Sequence, residues 1–177
     1  MARRVVPRNP PGTSGLKRHP ALIELSRDHH FALRHALRLK RAAASASAEA
    51  AVSPAREYVE FHDGALAGHV SDEEDVLLPR AGHVDPAGAE RIRAEHRQLH
   101  AATQALRDAL EHGADPRGLA GEIGELLDDH VRFEERSFFM AVQAGLSPEE
   151  LGELEKALQE ARAEGPCRPC AVEDGAR

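Results

Sequence analysis

Four dipeptides set the frame of this chain: Ser53-Pro54, Asp85-Pro86, Asp115-Pro116 and Ser147-Pro148. Each puts a side-chain oxygen that can accept from a free helical N–H directly before a proline. Proline suits the first helical position, where its missing N–H is no loss. Ser147 also has Glu150 three residues on, which makes a capping box. Pro79, Gly113 and Gly145 read as stops. These signals predict five helical segments: Pro20 to Ala42, Pro54 to Leu78, Pro86 to Glu111, Pro116 to Ala144 and Pro148 to Ala163. An Ala/Ser-rich link joins the first two. Apolar residues recur at helical spacing, as in Ile92, Leu99, Leu106 and Leu110, and no alternating β-branched run argues for a strand.

The interior material agrees. Aromatic residues are 3% of the chain and Trp is absent, so Leu, Ala and Val must fill the core, which suits helices better than sheets. The expected fold is all-α: an up-down antiparallel four-helix bundle, with a shorter C-terminal helix covering one side or end. The expected divisions are a flexible tail at 1–19, the bundle at 20–144, the last helix at 145–163 and a flexible tail at 164–177.

Composition narrows the partners. A net charge of −7 argues against a nucleic-acid footprint. No run of about 18 apolar residues is available to span a membrane. The N-terminal MARRVVPRNPPGTSG is basic but lacks the apolar core of a signal peptide, so the expected location is the cytoplasm. The two cysteines, Cys167 and Cys170, lie together in GPCRPC; they form no disulfide framework and are read as an incidental thiol pair.

Against this background, eleven histidines are many, and two of them sit in a repeat. HVSDEED begins at His69 and HVRFEER at His130. Leu66 and Leu127 each precede the histidine by three positions, and Leu77-Leu78 matches Phe138-Phe139 downstream. The first and third helices echo each other too, with Asp28-His29 after Leu25 and Glu95-His96 after Ile92. The second helix pair thus reads as a copy of the first.

Residues i and i+4 share one helix face, about 6 Å apart at Cβ. His69 with Glu73, and His130 with Glu134, can therefore converge, and they lie on the apolar, inward face. An ionised glutamate buried there without a partner costs several kcal/mol, so something must satisfy it. A single H-x-x-x-E is common on solvated helices; two copies at matched phase, joined by histidines from the other helices, point to a metal site in the bundle core. Imidazole and carboxylate with no thiolate suit iron, manganese or zinc, and this many ligands suit two ions better than one. Neither E-x-x-H nor H-E-x-x-H occurs. Glu74 and Glu135 lie about 100° around the helix and are expected to be solvated or to support the ligands from outside. His62 reads as core or as a donor behind the site; His35, His83 and His112 read as surface or loop residues. Gly64, Gly68, Gly121 and Gly124 are expected to allow close helix approach.

LSRDHHFAL (25–33), LAGHVSDEEDVLLP (66–79), AEHRQLH (94–100) and LDDHVRFEERSFF (127–139) together resemble the hemerythrin-like HHE cation-binding domain, in that family's order and over residues 20–144. The resemblance implies a four-helix bundle holding two non-heme iron ions in an oxo- or hydroxo-bridged di-iron centre. Such a centre binds or senses dioxygen, or responds to iron or oxidants. Carried across, it implies His29 or His30 from the first helix, His69 and a bridging Glu73 from the second, His96 from the third, and His130 and a bridging Glu134 from the fourth. His29 has the preceding acid that His96 has; His30 has the leucine three positions on that His96 has; the doublet stays open. His100, one turn after His96, resembles the second third-helix histidine of the oxygen-carrying hemerythrins and is a candidate fifth imidazole. Nothing resembles a nucleophile with its base, so binding of dioxygen or a related small ligand is expected ahead of turnover. The alternatives are a di-iron oxidase or peroxidase acting on O2, peroxide or nitric oxide, and an iron-responsive interaction module.

Overall fold

His19 opens the first helix: its Nδ1 accepts from the Ala21 N–H at 3.2 Å, and α1 then runs from Pro20 to Ala43. The computed structural model of the chain describes residues 17–164, and within them lie five helices and no strand. After α1 come α2 (residues 48–81), α3 (Pro86–Glu111), α4 (residues 117–145) and α5 (Pro148–Glu164). Two of the four expected caps form as read. Asp85 accepts from the Gly88 N–H at 2.9 Å. Ser147 and Glu150 close the capping box, with the Glu150 carboxylate accepting from the Ser147 N–H at 2.8 Å. Gly113, with φ of 68°, turns the chain out of α3. Most of both expected tails, including Cys167 and Cys170, lies outside the described residues.

Three boundaries differ from the sequence reading. Ser47 caps α2 by accepting from the Ala50 N–H at 3.3 Å, so the helix starts at Ala48 and Pro54 sits inside it. Ser53 does not cap; its hydroxyl donates to Glu57 at 3.1 Å. Pro116 itself takes the cap position of α4, and Asp115 instead accepts from the Arg117 N–H at 3.0 Å. Pro79 does not stop α2, which runs on to Ala81.

The reason Pro79 is tolerated also shapes the site. α2 widens into a π turn at Asp72–Leu77, and α4 widens at Glu134–Phe138. In both, the carbonyl of the repeat's first glutamate accepts from a residue five positions on: Glu73 from Leu78, Glu134 from Phe139. Pro79 follows where the i→i−4 ladder is already broken, so its missing N–H costs little. Each wide turn adds one residue to the circumference and resets the helical phase. Adjacent apolar residues can then both face inward, and Leu77-Leu78 and Phe138-Phe139 are all buried. A third π turn spans His62–Leu66 in α2.

The helices pack as a bundle. α1 lies against α4 most extensively, with α2 and α3 completing the circuit, and α5 leans on α1 and on the Asp72–Leu77 turn. A Cβ on Gly124 would meet Lys40 Cγ at 2.8 Å and the Ala36 carbonyl oxygen at 2.9 Å, and one on Gly121 would meet Ala43 Cβ at 3.1 Å. Glycine at these two positions lets α1 and α4 approach; Gly64, by contrast, faces open space. The apolar interior is divided. One cluster holds Leu22, Leu25, Leu77, Ile92, Phe138, Phe139 and residues of α5 such as Leu154. The other holds Leu39, Tyr58, Leu99, Leu106, Ile123 and Leu127. Polar side chains occupy the layer between them. Among the described residues, no helix is long and apolar enough to cross a membrane.

Candidate metal centre

Among the described residues, eight polar or charged ones are buried, and six of them are His29, His69, Glu73, His96, His130 and Glu134. Each of α1, α2, α3 and α4 supplies one histidine to this set, and the two helices carrying the repeat, α2 and α4, add a glutamate each. The ligand-type atoms fall into two groups, His29–His69–Glu73–Glu134 and Glu73–His96–His130–Glu134, each within 4.8 Å. Both glutamates belong to both groups. Glu73 directs Oε1 toward His69 Nε2 at 3.4 Å and Oε2 toward His96 Nε2 at 3.2 Å. Glu134 Oε2 lies 3.0 Å from His29 Nε2 and 3.4 Å from His130 Nε2.

The chemistry of the site follows from what these atoms do not do. The side chains of Glu73 and Glu134 are 0% exposed, yet none of their four carboxylate oxygens makes a hydrogen bond, and neither does His96 Nε2. His29 Nε2 and His69 Nε2 face each other at 3.2 Å. The ligand-type atoms of each group are thus crowded together in a buried space. Buried carboxylates without hydrogen bonds need positive charge nearby, and the grouping of these residues is compatible with a metal cation supplying it. The all-nitrogen-and-oxygen donor set suits a divalent transition metal.

The opposite edge of every imidazole is held by a carboxylate, and the pattern closes on itself. Asp28 of α1 lies 3.4 Å from Nδ1 of His69 in α2. Glu74 of α2 lies 2.9 Å from Nδ1 of His96 in α3. Glu95 of α3 lies 2.9 Å from Nδ1 of His130 in α4, and Glu135 of α4 lies 2.7 Å from Nδ1 of His29 in α1. Each helix thus orients the histidine of the next. A carboxylate at Nδ1 holds the proton there and leaves the Nε2 lone pair inward, the tautomer a metal ligand needs.

The buried carboxylates and imidazoles shift one another's proton affinity. Burial alone pulls the His29, His69 and His96 pKa values down, but the glutamates outweigh it and raise all three, His69 to about 10. Burial likewise pushes Glu73 up, and His69 and His96 more than reverse it, leaving its carboxyl well below the ordinary range. Glu135, raised by burial but lowered further by His29, Ser26 and Arg18, falls to about 2. Loading a cation therefore displaces imidazole protons.

The remaining sequence candidates are distributed as follows. His29 is buried in the cluster; His30 is exposed and joins neither group. His100 is exposed and joins neither group either. It lines a cleft of about 180 Å³ together with His62, Leu66, Ala67, Val70, Leu99 and His96, its ring 5.6 Å from that of His62. His35 is half-buried and stacked on Phe61, whereas His83 and His112 are exposed. In the sequence, Asp28 and Glu95 stand out only as the acids preceding His29 and His96, with no local sign that each holds a ring on another helix. Their signal is a pattern across helices: an acid at −1 in α1 and α3 matches one at +5 in α2 and α4.

The family model described as Hemerythrin HHE cation binding domain matches residues 21–142. No curated protein and no solved structure matches the chain. The chain belongs to the hemerythrin HHE cation-binding domain family, and its buried His/Glu cluster is compatible with the metal binding that the family's description states.

Proposed function

We propose that this family member holds two non-heme iron ions and binds or senses dioxygen or a related small ligand. His29 and His69 would serve one ion, His96 and His130 the other, and Glu73 and Glu134 would bridge them. The observation that carries this reading is that two fully buried glutamates belong to both four-residue groups; a single-ion site has no use for the second pair of histidines. Iron bound there would supply the electrons that a dioxygen-type ligand draws on.

The chain's own residues do the rest. Asp28, Glu74, Glu95 and Glu135 fix the four rings, so little reorganisation is needed on loading. The two apolar clusters above and below keep bulk water from the site, and the cleft at His96 offers a small molecule a way in. The proposed frame is an up-down antiparallel four-helix bundle over residues 20–144, with α5 as an addition to it and with the cytoplasm as its setting. The test is anaerobic loading with ferrous iron, exposure to O2, then removal of O2. A spectrum that appears and reverses supports binding or sensing; stoichiometric O2 consumption that continues with added reductant replaces this reading with an oxidase.

A further inference from the structure

Two arginines lie behind the carboxylates of one half of the site, and both come from outside the family-matched span. Arg162, near the end of α5, donates through Nη2 to Asp28 Oδ2 at 2.7 Å, and its Nε lies 2.7 Å from Asp72 Oδ2. Asp28 faces Nδ1 of His69, and Asp72 is a buried neighbour of Glu73 at the start of the π turn. Arg18, just before α1, reaches Glu135, the carboxylate on His29 Nδ1, and also donates to the Glu135 carbonyl oxygen at 3.0 Å. The guanidinium of Arg18 further lies over the Phe139 ring at 5.3 Å, and its Nη1 donates to Gln143 at 3.3 Å.

The other half is built differently. Glu74, behind His96, is 38% exposed, and no ion pair from an arginine or lysine reaches it among the described residues. Glu95, behind His130, is 13% exposed and pairs at 2.7 Å with Arg91, which comes from the same helix, is itself 45% exposed and lies over the Phe133 ring at 3.9 Å. That half also opens on the cleft lined by His62 and His100.

We propose that Arg162 and Arg18 are positioning residues that lock the His29–His69 half, making it the tighter and first-filled of the two cation positions. A charged hydrogen bond to a carboxylate is stronger than a neutral one, and a bound guanidinium fixes the carboxylate that in turn fixes the ring. Arg162 also ties α1 to α2 at the level of the ligands, so His69 and Glu73 are held in register with His29. This inference rests on the two-cation reading above.

The experiment isolates each half in the full chain. His96→Ala/His130→Ala leaves the His29–His69 half, and His29→Ala/His69→Ala leaves the other. Cobalt(II) affinity is measured for each with and without Arg162→Gln, alongside helical content and melting of the metal-free protein. Arg162→Gln is expected to weaken cobalt about tenfold at the His29–His69 half, the scale of losing support behind a ligand, and to change the other half less than about twofold, with Arg162→Lys recovering part of the loss. Equal weakening of both halves, or none in either, overturns the proposal. Should Arg162→Gln lose helical content, Arg18→Gln decides instead, by the same half-selective effect through Glu135 or its absence. A parent protein that binds only one cobalt overturns the two-cation reading itself, a result distinct from a parent that binds two with no arginine dependence.

Discussion

Glu135 lies 2.7 Å from Nδ1 of His29, a residue 106 positions earlier in the chain, and this contact closes the cycle in which each helix orients the next helix's histidine. The cycle separates two kinds of acid in the repeated Glu-Glu. The first glutamate of each pair belongs to both His/Glu groups, and the second holds a ring.

Substitutions at the two kinds of acid should therefore differ in degree. Glu73→Ala and Glu134→Ala each remove a group shared by both positions and should abolish binding of two metals. Glu74→Gln and Glu135→Gln leave the ligand atoms in place and should weaken metal about 10- to 100-fold, the usual cost of removing such support. Metal titrations of the four variants make the comparison; equal losses at all four positions would contradict it.

His29→Ala and His30→Ala should diverge sharply. His29 contributes to the buried cluster. His30 is exposed on the same helix, and its loss should change stability by less than about 0.5 kcal/mol with full metal content. His100→Ala should behave like His30→Ala, since His100 lies on the cleft and not in either group. Metal loss in the His30 variant with retention in the His29 variant would show that α1 is rotated from the position described.

Much of this was legible in the sequence because the repeat states it twice. His69 and Glu73, like His130 and Glu134, share a face by helical periodicity alone, and the caps at Asp85 and Ser147 have unambiguous partners. Other features were hidden for physical reasons. Ser53-Pro54 carries the local signature of a helix start, but Ser47 lies ahead of it and caps a helix that then runs through the proline. The π turns cannot be read from a regular period, although the paired Leu77-Leu78 and Phe138-Phe139 require a phase slip if both members are to be buried. The choice between His29 and His30 needed three dimensions, since each satisfied part of the local pattern. Arg18 and Arg162 were invisible because their partners lie 117 and 134 positions away.

The structure also fixes the sign of a pH effect away from the site. His35 stacks on Phe61, ring centroids 4.2 Å apart. Burial, followed by the charges of Arg38 and Arg34, lowers its pKa to about 4. An unfolded imidazole takes up its proton at about 6.5. The contribution of neutral His35 is thus complete above about pH 6.5 and is lost as pH falls toward about 4. Solvent screening of this half-buried ring holds the effect to about 1 kcal/mol. His35→Phe keeps the stack without the titration, so metal-free melts should show a smaller drop between neutral and acid pH than in the parent. Identical pH profiles would contradict the assignment.

Two glycines should respond to alanine with opposite signs. Gly124→Ala forces a methyl group against Lys40 and the Ala36 carbonyl and should destabilise by about 1–3 kcal/mol. Gly152→Ala, in α5 with nothing within 4 Å of the added carbon, should stabilise by about 0.5–1 kcal/mol through helix propensity. Denaturant midpoints read both, and a stabilised Gly124→Ala variant would show that α1 and α4 lie further apart than described.

We propose that one chain holds two iron ions between shared glutamates, and metal content measured with the absorption spectrum of aerobic protein from iron-replete cells tests this most directly. The expected result is close to two iron ions per chain with a near-ultraviolet to visible ligand-to-metal band, both lost in Glu73→Ala and in Glu134→Ala. One zinc per chain with no iron, even after anaerobic ferrous loading, would contradict it.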